Sequence, residues 1–362
     1  MSKNDIQSLQ DGISVLSLFD GMSCGMIAML NAGLHISSYT AYEIDEHAIN
    51  ASKHNFSNII QCGDVFNADF TKYYGIDYLI GGSPCTYWSI TQTKNRETEA
   101  SGYGWRLFSQ YIKAIKESCP KFFIYENNKS MSKKVRESID NEFGFEAICI
   151  NSALVSAQNR ERLYWVGKRN PDGTYSKVNV EQPADRRIFL EDILAGAIPV
   201  NTTLGGKSYV IRAQYYKNSA ANFITNGGFE ASGAAEPVRI DTYNKDLYAT
   251  PIEFDGDIPK RAVSCADNKT YDVYTVSNGM ITIKGIQYPV NLKDDYYIIR
   301  KLTIPECKIL QTVPEWYDLS CVNNRQAYKM LGNGWCCDII THLIQATIKE
   351  SENCYERFKR QN

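Results

Sequence analysis

Short apolar segments alternate with helical segments up to Gly167, and this rhythm constrains the fold more than any other feature of the chain. The candidate strands are Ile13–Phe19, Tyr39–Glu43, Asp77–Gly82, Phe122–Glu126, Phe145–Ile150 and Arg162–Gly167. Strands that alternate with helices form a mostly parallel sheet with helices on both faces. We therefore predict an α/β protein with a doubly wound, mostly parallel sheet, whose ligands bind at the carboxyl ends of the strands.

The texture of the sequence changes between Asn170 and Asp295, where glycines, tyrosines and short β-prone runs replace the strand–helix rhythm. We interpret this stretch as an inserted second domain that is smaller, irregular and β-rich. The predicted organisation is a first domain over 1–169, a second over 170–295, and a C-terminal segment over 296–362 that returns to the first domain. That segment contains a predicted final helix from about Trp335 to Lys349.

The composition narrows the class of protein. With 362 residues, 43% of them hydrophobic, the chain can form two domains, and no apolar stretch is long enough to cross a bilayer. The polar N-terminus lacks a signal peptide, so we expect a cytoplasmic protein with its 11 cysteines reduced. The absence of a C-x-x-C pair, with only four histidines, argues against a metal site. A net charge of −2 neither supports nor excludes a nucleic-acid partner, because phosphate binding depends on local basic surface.

Three strand ends carry residues suited to a nucleoside ligand. A glycine-containing turn, Phe19–Gly25, follows the first strand, and an ordinary tight turn is its alternative interpretation. Glu43 ends the second strand, where a carboxylate can bind ribose hydroxyls, and Asp64 is placed to meet an adenine amino group. The turn lacks the G-x-G-x-x-G spacing of dinucleotide sites, and no phosphate-binding loop is present. The predicted cofactor is therefore S-adenosylmethionine, which has no phosphate.

A thiol, a carboxyl group and two arginines follow at later strand ends. Cys85 ends a rigid turn after a buried strand, although a structural thiol is the alternative. Glu126 ends the next main strand, where a carboxyl group suits proton donation to a ring nitrogen; a helix-capping cluster is the alternative. Arg160 and Arg162 alternate onto one face before another strand, and a solvated charge cluster is the alternative there.

In this order the motifs resemble those of the cytosine-5 DNA methyltransferases. The matching segments are Phe19–Gly25, Pro84-Cys85, Glu126-Asn127, Gln158-x-Arg160-x-Arg162, Arg300–Thr303 with Glu306-Cys307 and Leu310-Gln311, and Gly332-Asn333. The resemblance covers about 13–167 and 296–350. It implies an S-adenosylmethionine-dependent methyltransferase fold in which the segment 170–295 is the target-recognition domain.

The resemblance also implies a role for each candidate catalytic residue. Cys85 would add to carbon 6 of a cytosine that has been flipped out of duplex DNA. Glu126 would hold ring N3 and the exocyclic amine. Arg162, helped by Arg160, would contact O2 of the base and orient Glu126. Carbon 5 would then accept the methyl group, and loss of its proton would expel Cys85.

The same resemblance places the cofactor and part of the DNA surface. The implied cofactor-binding residues are Phe19, Gly21, Gly25, Glu43, Ile44, Asp64, Val65, Pro84, Leu107 and Asn333. We expect the polar loop 86–104 to close over the flipped base, with Ser89, Lys94 and Arg96 near the DNA; an ordinary surface loop is the alternative. In the second domain the basic candidates for DNA contacts are Arg186, Arg187, Lys207, Arg212, Lys217, Arg239, Lys260 and Arg261.

The predicted partner is double-stranded DNA bound by a monomer, without a membrane. Two other functions remain open at this stage: a relative that modifies cytosine in RNA, and a catalytically silent DNA-binding relative. The large middle region argues against the first, because it suits the readout of a duplex, and the intact Cys85, Glu126 and Arg162 argue against the second. The recognition sequence, and whether a restriction enzyme accompanies the protein, do not follow from the sequence.

Overall fold

The computed structural model describes most of the chain. The described residues are 12–90, 96–203, 205–225, 231–239 and 247–361, with side chains described as far as Glu352. Two eight-stranded sheets organise these residues, a large sheet from the first half of the chain and a small sheet from the second half.

The large sheet is built from the first half of the chain. Its strands are β1 (Ile13–Leu18), β2 (Ile36–Tyr42), β3 (Ile59–Gln61), β4 (Tyr78–Gly81), β5 (Phe122–Asn128), β6 (Ile148–Asn151), β7 (Glu161–Arg169) and β8 (Tyr175–Lys177). They lie in the order β3-β2-β1-β4-β5-β7-β6, with β8 paired to β7. The first five strands are parallel, whereas β7 is antiparallel to its neighbours β5, β6 and β8. The prediction of a mostly parallel sheet is confirmed.

Helices cover both faces of this sheet. They are α1 (Cys24–Asn31), α2 (Glu46–Asn55), α3 (Gly102–Ser118) and α4 (Lys133–Phe143). Successive residues of one strand enter opposite cores, so that Ile80 packs in one apolar cluster and Leu79 in the other. Capping side chains begin two helices, because Asp45 accepts from the His47 amide and Ser132 accepts from the Val135 amide. Because α1 and α2 pack on one face of the sheet and α3 and α4 on the other, the predicted doubly wound arrangement is confirmed.

The small sheet contains later strands, all antiparallel to their neighbours. They are β9 (Ile198–Pro199), β10 (Gly233–Pro237), β11 (Thr250–Asp255), β12 (Ile258–Val263), β13 (Thr270–Ser277), β14 (Met280–Ile283), β15 (Ile286–Pro289) and β16 (Asp295–Lys301). The main order is β11-β12-β13-β16-β10-β9, with β14 paired to β13 and β15. A short helix, α5 (Ala220–Thr225), precedes β10.

The sheets extend past both predicted segment boundaries. β8 pairs with β7, so the large sheet reaches Lys177 rather than ending before 170. β16 pairs with both β10 and β13, so the small sheet reaches Lys301 rather than ending at 295. The reason is that β16 is a central strand whose buried apolar residues, including Ile298, belong to the small sheet's core.

Three helices return the chain to the large sheet. They are α6 (Ile304–Leu310), α7 (Asn324–Asn333) and α8 (Cys337–Gln361). The helix α7 was not predicted, and α8 continues past the predicted end at about Lys349. Contacts from α8 anchor it on the first half of the chain: the Thr341 hydroxyl donates to the Ala28 carbonyl at 3.3 Å, and the Thr347 and Tyr78 hydroxyls lie 2.7 Å apart. Within the described ranges, none of the helices combines the length and the apolar character needed to span a membrane.

Candidate active site

The strand register brings the predicted catalytic groups to one edge of the large sheet. Gly81 pairs with Tyr125, so the turn after β4 lies beside the end of β5. Asn128 pairs with Arg162. Because β7 is antiparallel to β5, the beginning of β7 meets the carboxyl ends of the parallel strands. Cys85, Glu126 and Arg162 therefore share an edge, although they arise from three separate sequence motifs.

Cys85 lies exposed at the start of a short 3₁₀ turn, Cys85–Tyr87. Its carbonyl accepts from the amides of Trp88 and Ser89, which closes the turn. The preceding Ser83 is buried, and its hydroxyl lies 2.6 Å from the Tyr125 hydroxyl. These contacts tie the cysteine-bearing turn to β5 and leave the thiol accessible, as a nucleophile requires.

Glu126 is held by donors on both of its carboxyl oxygens. Arg162 Nε lies 3.1 Å from Oε1, and the Trp335 indole N–H donates to Oε2 at 2.9 Å. Gly82 supplies the space for this group, because a Cβ at that position would lie 2.9 Å from Oε2 and 2.8 Å from the Glu126 carbonyl oxygen. The contact between Arg162 and Glu126 is present, and the orienting role of Arg162 stays a prediction. Trp335 was not among the predicted residues.

Arg160 is buried and binds backbone. Its guanidinium donates to the carbonyls of Ile211, Gly332 and Gly334. Burial, assisted by the nearby positive charge of Arg162, lowers the pKa of Arg160 to about 10. The group therefore joins the start of β7 to the backbone at Ile211 and to the turn that precedes α8. Its predicted contact with the base stays a prediction.

The turn after β1 forms the cofactor side of the same edge. Phe19 and Gly21 both have φ of 58°, a left-handed conformation that is unusual for phenylalanine. The amide of Gly21 donates to Glu43 Oε2 at 2.8 Å, while Ile44 donates to Oε1 at 2.8 Å. The carboxylate at the end of β2 is thereby fixed against the turn, with the side chain of Ile44 70% exposed beside it.

The remaining predicted cofactor residues surround that turn. Asp64 Oδ1 accepts from the Phe66 amide and so caps the short turn that begins at buried Val65. Leu107 is buried on α3, whereas Pro84 and Asn333 are exposed. Gly25 has a packing role, because a Cβ there would lie 2.3 Å from Ile80 Cδ1.

These residues fit a nucleoside that carries no phosphate. A Cβ built on Gly21 would meet no atom within 4 Å, so the backbone is open to a close-lying ligand. Glu43 Oε1 accepts from the amides of both Ile44 and Asp45, whereas Oε2 accepts only from Gly21 and keeps a lone pair for a hydroxyl group. Exposed Ile44 offers an apolar surface for a flat ring. These groups could receive a ribose and a base, and S-adenosylmethionine as their ligand stays a prediction.

Asp20, in the same turn, is a buried carboxyl group, and no role was predicted for it. Its oxygens accept from the Ser23 hydroxyl at 2.5 Å and the Tyr39 hydroxyl at 2.7 Å. Burial raises the pKa of Asp20 to about 6, against the lowering effect of its hydroxyl donors. The sequence signal was its place inside the first motif, between Phe19 and Gly21.

The predicted DNA-contacting loop lies beside the cysteine turn. Arg96 is half-buried and donates to the carbonyls of Trp88 at 3.2 Å and Ser130 at 2.7 Å, which fixes its side chain on the protein. Ser89 is half-buried, with its amide bound to the Cys85 carbonyl. Lys94 lies outside the described residues. The DNA contacts of this loop stay a prediction.

Most of the eight basic candidates of the second domain are engaged within the protein. Arg186 pairs with Asp338 and Arg239 with Asp295, while Lys260 Nζ lies 2.9 Å from Asp255. Lys207 is buried and donates to three backbone carbonyls, and Lys217 lies over the Tyr216 ring. The side chains of Arg187, Arg212 and Arg261 make no hydrogen bond or ion pair with any described residue. These three arginines are the strongest candidates for a nucleic-acid contact.

Comparisons with known proteins identify the family of the chain. The family model described as C-5 cytosine-specific DNA methylase matches residues 13–349. Type II methyltransferase M.FnuDI of Fusobacterium nucleatum is 25% identical over 362 aligned residues, which cover 96% of this chain and 98% of that protein. Orphan methyltransferase M.SPRI of Bacillus phage SPR is 32% identical over 169 residues, and this match covers 43% of this chain but only 38% of the phage protein.

Solved structures share the fold. A putative DNA modification methyltransferase encoded within an Escherichia coli prophage superposes with a TM-score of 0.53 at 18% identity, covering 93% of this chain and 99% of that one. The Entamoeba histolytica methyltransferase EhMeth gives a TM-score of 0.57 at 12% identity, with coverages of 94% and 98%. Since the family model spans both described sheets and the motifs at their edges, the chain belongs to the C-5 cytosine-specific DNA methylase family.

Proposed function

We propose that this protein transfers a methyl group from S-adenosylmethionine to carbon 5 of cytosine in double-stranded DNA, through a covalent adduct of Cys85. The observation that carries the proposal is the shared sheet edge, where an exposed thiol, an arginine-bound carboxyl group and an open nucleoside turn meet. Membership of the family supports the same substrate class.

The chain's own groups account for activation of the ring. Carbon 5 of cytosine is a poor nucleophile, so the Cys85 sulfur adds to carbon 6 and electron density moves toward carbon 5. Glu126 provides the proton or hydrogen bond that ring N3 needs as negative charge develops, and Arg162 holds that carboxyl group by its ion pair. When bound, S-adenosylmethionine supplies the electrophilic methyl group. Transfer of the carbon-5 proton to water then restores the double bond between carbons 5 and 6 and expels Cys85 as a thiolate.

The remaining parts of the molecule bring the base to this edge. A cytosine stacked in a duplex cannot reach Cys85, so it is flipped into the pocket, and the loop 86–104 closes over it. The small sheet serves as the target-recognition domain. Arg187, Arg212 and Arg261 are free to contact phosphates or guanine edges, because no described side chain neutralises them. The protein acts as a monomer in the cytoplasm.

A single expression experiment tests the reaction and its nucleophile. The protein and its Cys85→Ala variant are expressed in a host without cytosine-5 methylation, and host DNA and RNA are digested to nucleosides for mass spectrometry. We expect 5-methylcytosine in DNA with the unaltered protein and none with the variant. Cys321→Ala is the matched control, because this half-buried thiol lies in the loop before α7, where the proposal gives it no role.

The other outcomes discriminate the alternatives. Methylation confined to RNA would assign the protein to RNA modification. Binding of S-adenosylmethionine without any modified base would identify a silent relative. Methylation that persists in Cys85→Ala would refute the covalent mechanism. Bisulfite sequencing of the methylated DNA gives the recognition sequence.

A further inference from the structure

Trp335 makes a direct contact with the catalytic carboxyl group that no sequence motif assigns. It lies in the turn between α7 and α8, 209 residues after Glu126, and its indole N–H donates to Glu126 Oε2 at 2.9 Å. The ring is half-buried and packs against the core that α8 shares with α1. An indole can donate but cannot accept, so this contact always uses Glu126 as the acceptor.

Three features together fix the orientation of the Glu126 carboxyl group. Arg162 binds Oε1 at 3.1 Å, and Trp335 binds Oε2 on the other side. Gly82 leaves the space that Oε2 occupies, because a Cβ at that position would lie only 2.9 Å from Oε2. Each carboxylate oxygen has about two lone-pair directions, so one on each oxygen remains for the base.

The position of Trp335 is itself held by Arg160. The guanidinium donates to the Gly332 carbonyl at 3.2 Å and to the Gly334 carbonyl at 2.9 Å, immediately before the tryptophan. The Gly334 amide donates to the Met330 carbonyl at 2.7 Å and ties the same turn to the end of α7. Arg160 is buried, so these bonds are shielded from water.

We propose that Trp335 is a positioning residue, which orients Glu126 for the flipped cytosine, and that Arg160 acts on Glu126 through the 332–334 backbone. The inference rests on the proposed function, because it assigns the orientation a role in the addition of Cys85. Without the indole N–H, the carboxyl group rotates about its last bond and spends less time aligned with ring N3. The addition step slows, while binding of DNA and cofactor does not depend on this bond.

The test uses Trp335→Phe in the full-length protein, which removes the N–H and keeps an aromatic ring. We expect kcat for methyl transfer to DNA to fall about tenfold, with less than about twofold change in affinity for S-adenosylmethionine and DNA. Adduct formation with DNA containing 5-fluorocytosine should slow by the same factor. This adduct accumulates and can be measured, because the ring has no carbon-5 proton whose loss would release Cys85. Trp316→Phe is the matched control, because Trp316 is 54% exposed and packs against Phe56 and Tyr317.

A second variant separates positioning from general support of the fold. Glu126→Asp withdraws the carboxyl group from the indole by one methylene, so adding Trp335→Phe to it should slow adduct formation by no more than about twofold. An undiminished tenfold loss in that background would overturn the proposal. So would wild-type kcat in Trp335→Phe, or a loss matched by weaker DNA and cofactor binding.

The contact can also be observed without any catalysis. Indole N–H resonances of the protein labelled with ¹⁵N-tryptophan are assigned to Trp335 by their loss in Trp335→Phe. That resonance should shift in Glu126→Ala and stay in place in Cys85→Ala. A resonance indifferent to Glu126→Ala would sink the positioning contact, whereas an unaltered protein that binds cofactor yet forms no 5-methylcytosine would sink the proposed function alone.

Discussion

The molecule contains two glutamate–arginine pairs that differ in their access to solvent. Glu126 and Arg162, at the edge of the large sheet, keep 13% and 16% of their side chains exposed. Glu236 and Arg300, between β10 and β16 of the small sheet, are completely buried. The two pairs join the same chemical groups, so the difference in exposure isolates what the surroundings contribute.

The buried pair is satisfied on every side by the protein. Glu236 accepts from Arg300, from the Ser264 hydroxyl at 2.8 Å and from the Cys265 amide at 3.0 Å. Arg300 also binds both oxygens of Glu306 at 2.8 Å. Although burial opposes its charge, the hydrogen bonds and charges of Glu306 and Glu236 raise the pKa of Arg300 above its ordinary value. Such a cluster joins the small sheet to α6 and leaves no atom for a ligand.

The partly exposed Glu126–Arg162 pair can still accept hydrogen bonds from a ligand. Glu126 has two donors, from Arg162 and Trp335, so one acceptor position on each carboxyl oxygen is unused, and its side chain is partly exposed at the edge that Cys85 shares. We infer that the buried Glu236–Arg300 pair stabilises the fold, whereas the partly exposed Glu126–Arg162 pair takes part in the reaction. Removal of a charge should therefore affect stability in one case and turnover in the other.

The largest expected effect is on stability. Arg300→Met leaves two carboxylates buried without their cation, so we expect the free energy of unfolding to fall by about 4 kcal/mol. Urea denaturation monitored by circular dichroism measures it. The variant in which Glu236 and Glu306 are also replaced by glutamine should recover a large part of this loss. A cost below about 1 kcal/mol would show that the sealed cluster does not hold the small sheet.

Removal of the partly exposed Glu126 carboxylate should reduce turnover and leave stability almost unchanged. Glu126→Gln keeps the size of the side chain but cannot supply a proton to ring N3, so we expect kcat to fall about a hundredfold or more. The affinity for S-adenosylmethionine, measured by calorimetry, should stay within about twofold, and the unfolding midpoint should move by less than about 2 °C. A variant that is destabilised as strongly as Arg300→Met would erase the distinction between the pairs.

Much of this contrast could be anticipated from the sequence. The strand–helix rhythm predicted the large sheet, because buried parallel strands are short continuous apolar runs such as Phe122–Tyr125. Cys85, Glu126 and Arg162 could be selected because each follows or begins such a run, and strand register then brings them together. Their roles in the reaction remain predictions, which the variants above address.

The parts that the sequence did not reveal depend on long-range contacts. The Trp335–Glu126 bond joins residues 209 positions apart, and a single hydrogen bond leaves no periodic pattern in a sequence. β11 ends in four consecutive exposed residues, 252–255, so it lacks the alternation that marks a half-buried strand. β16 follows the variable region directly, and only its pairing with β10 and β13 assigns it to the small sheet.

Asp20 sharpens the comparison, because it is a buried carboxyl group whose hydrogen-bond donors are neutral hydroxyls. Burial raises the pKa of Asp20 from 3.8 to about 6, so the folded protein binds this proton more tightly than the unfolded chain. The contribution of Asp20 to stability therefore rises as the pH falls from 7 toward 4, by on the order of 2 kcal/mol. Asp20→Asn should remove this slope, as urea titrations at pH 4, 5, 6 and 7 can show. An identical pH dependence in both proteins would mean that Asp20 is ionised throughout.

The smallest expected effect concerns the space around Glu126. Gly82→Ala places a methyl group 2.8 Å from the Glu126 carbonyl and 2.9 Å from Oε2, closer than a Cβ normally approaches either atom. The carboxyl group must turn away from Trp335, so we expect about a tenfold loss of kcat, comparable to that of Trp335→Phe. Combining Gly82→Ala with Trp335→Phe should give little further loss, because both changes release the same oxygen. If the two losses of kcat multiply instead, Gly82 influences turnover by some route other than the Glu126 carboxyl group. The orientation of Glu126 would then depend less on its neighbours than that of Glu236 does.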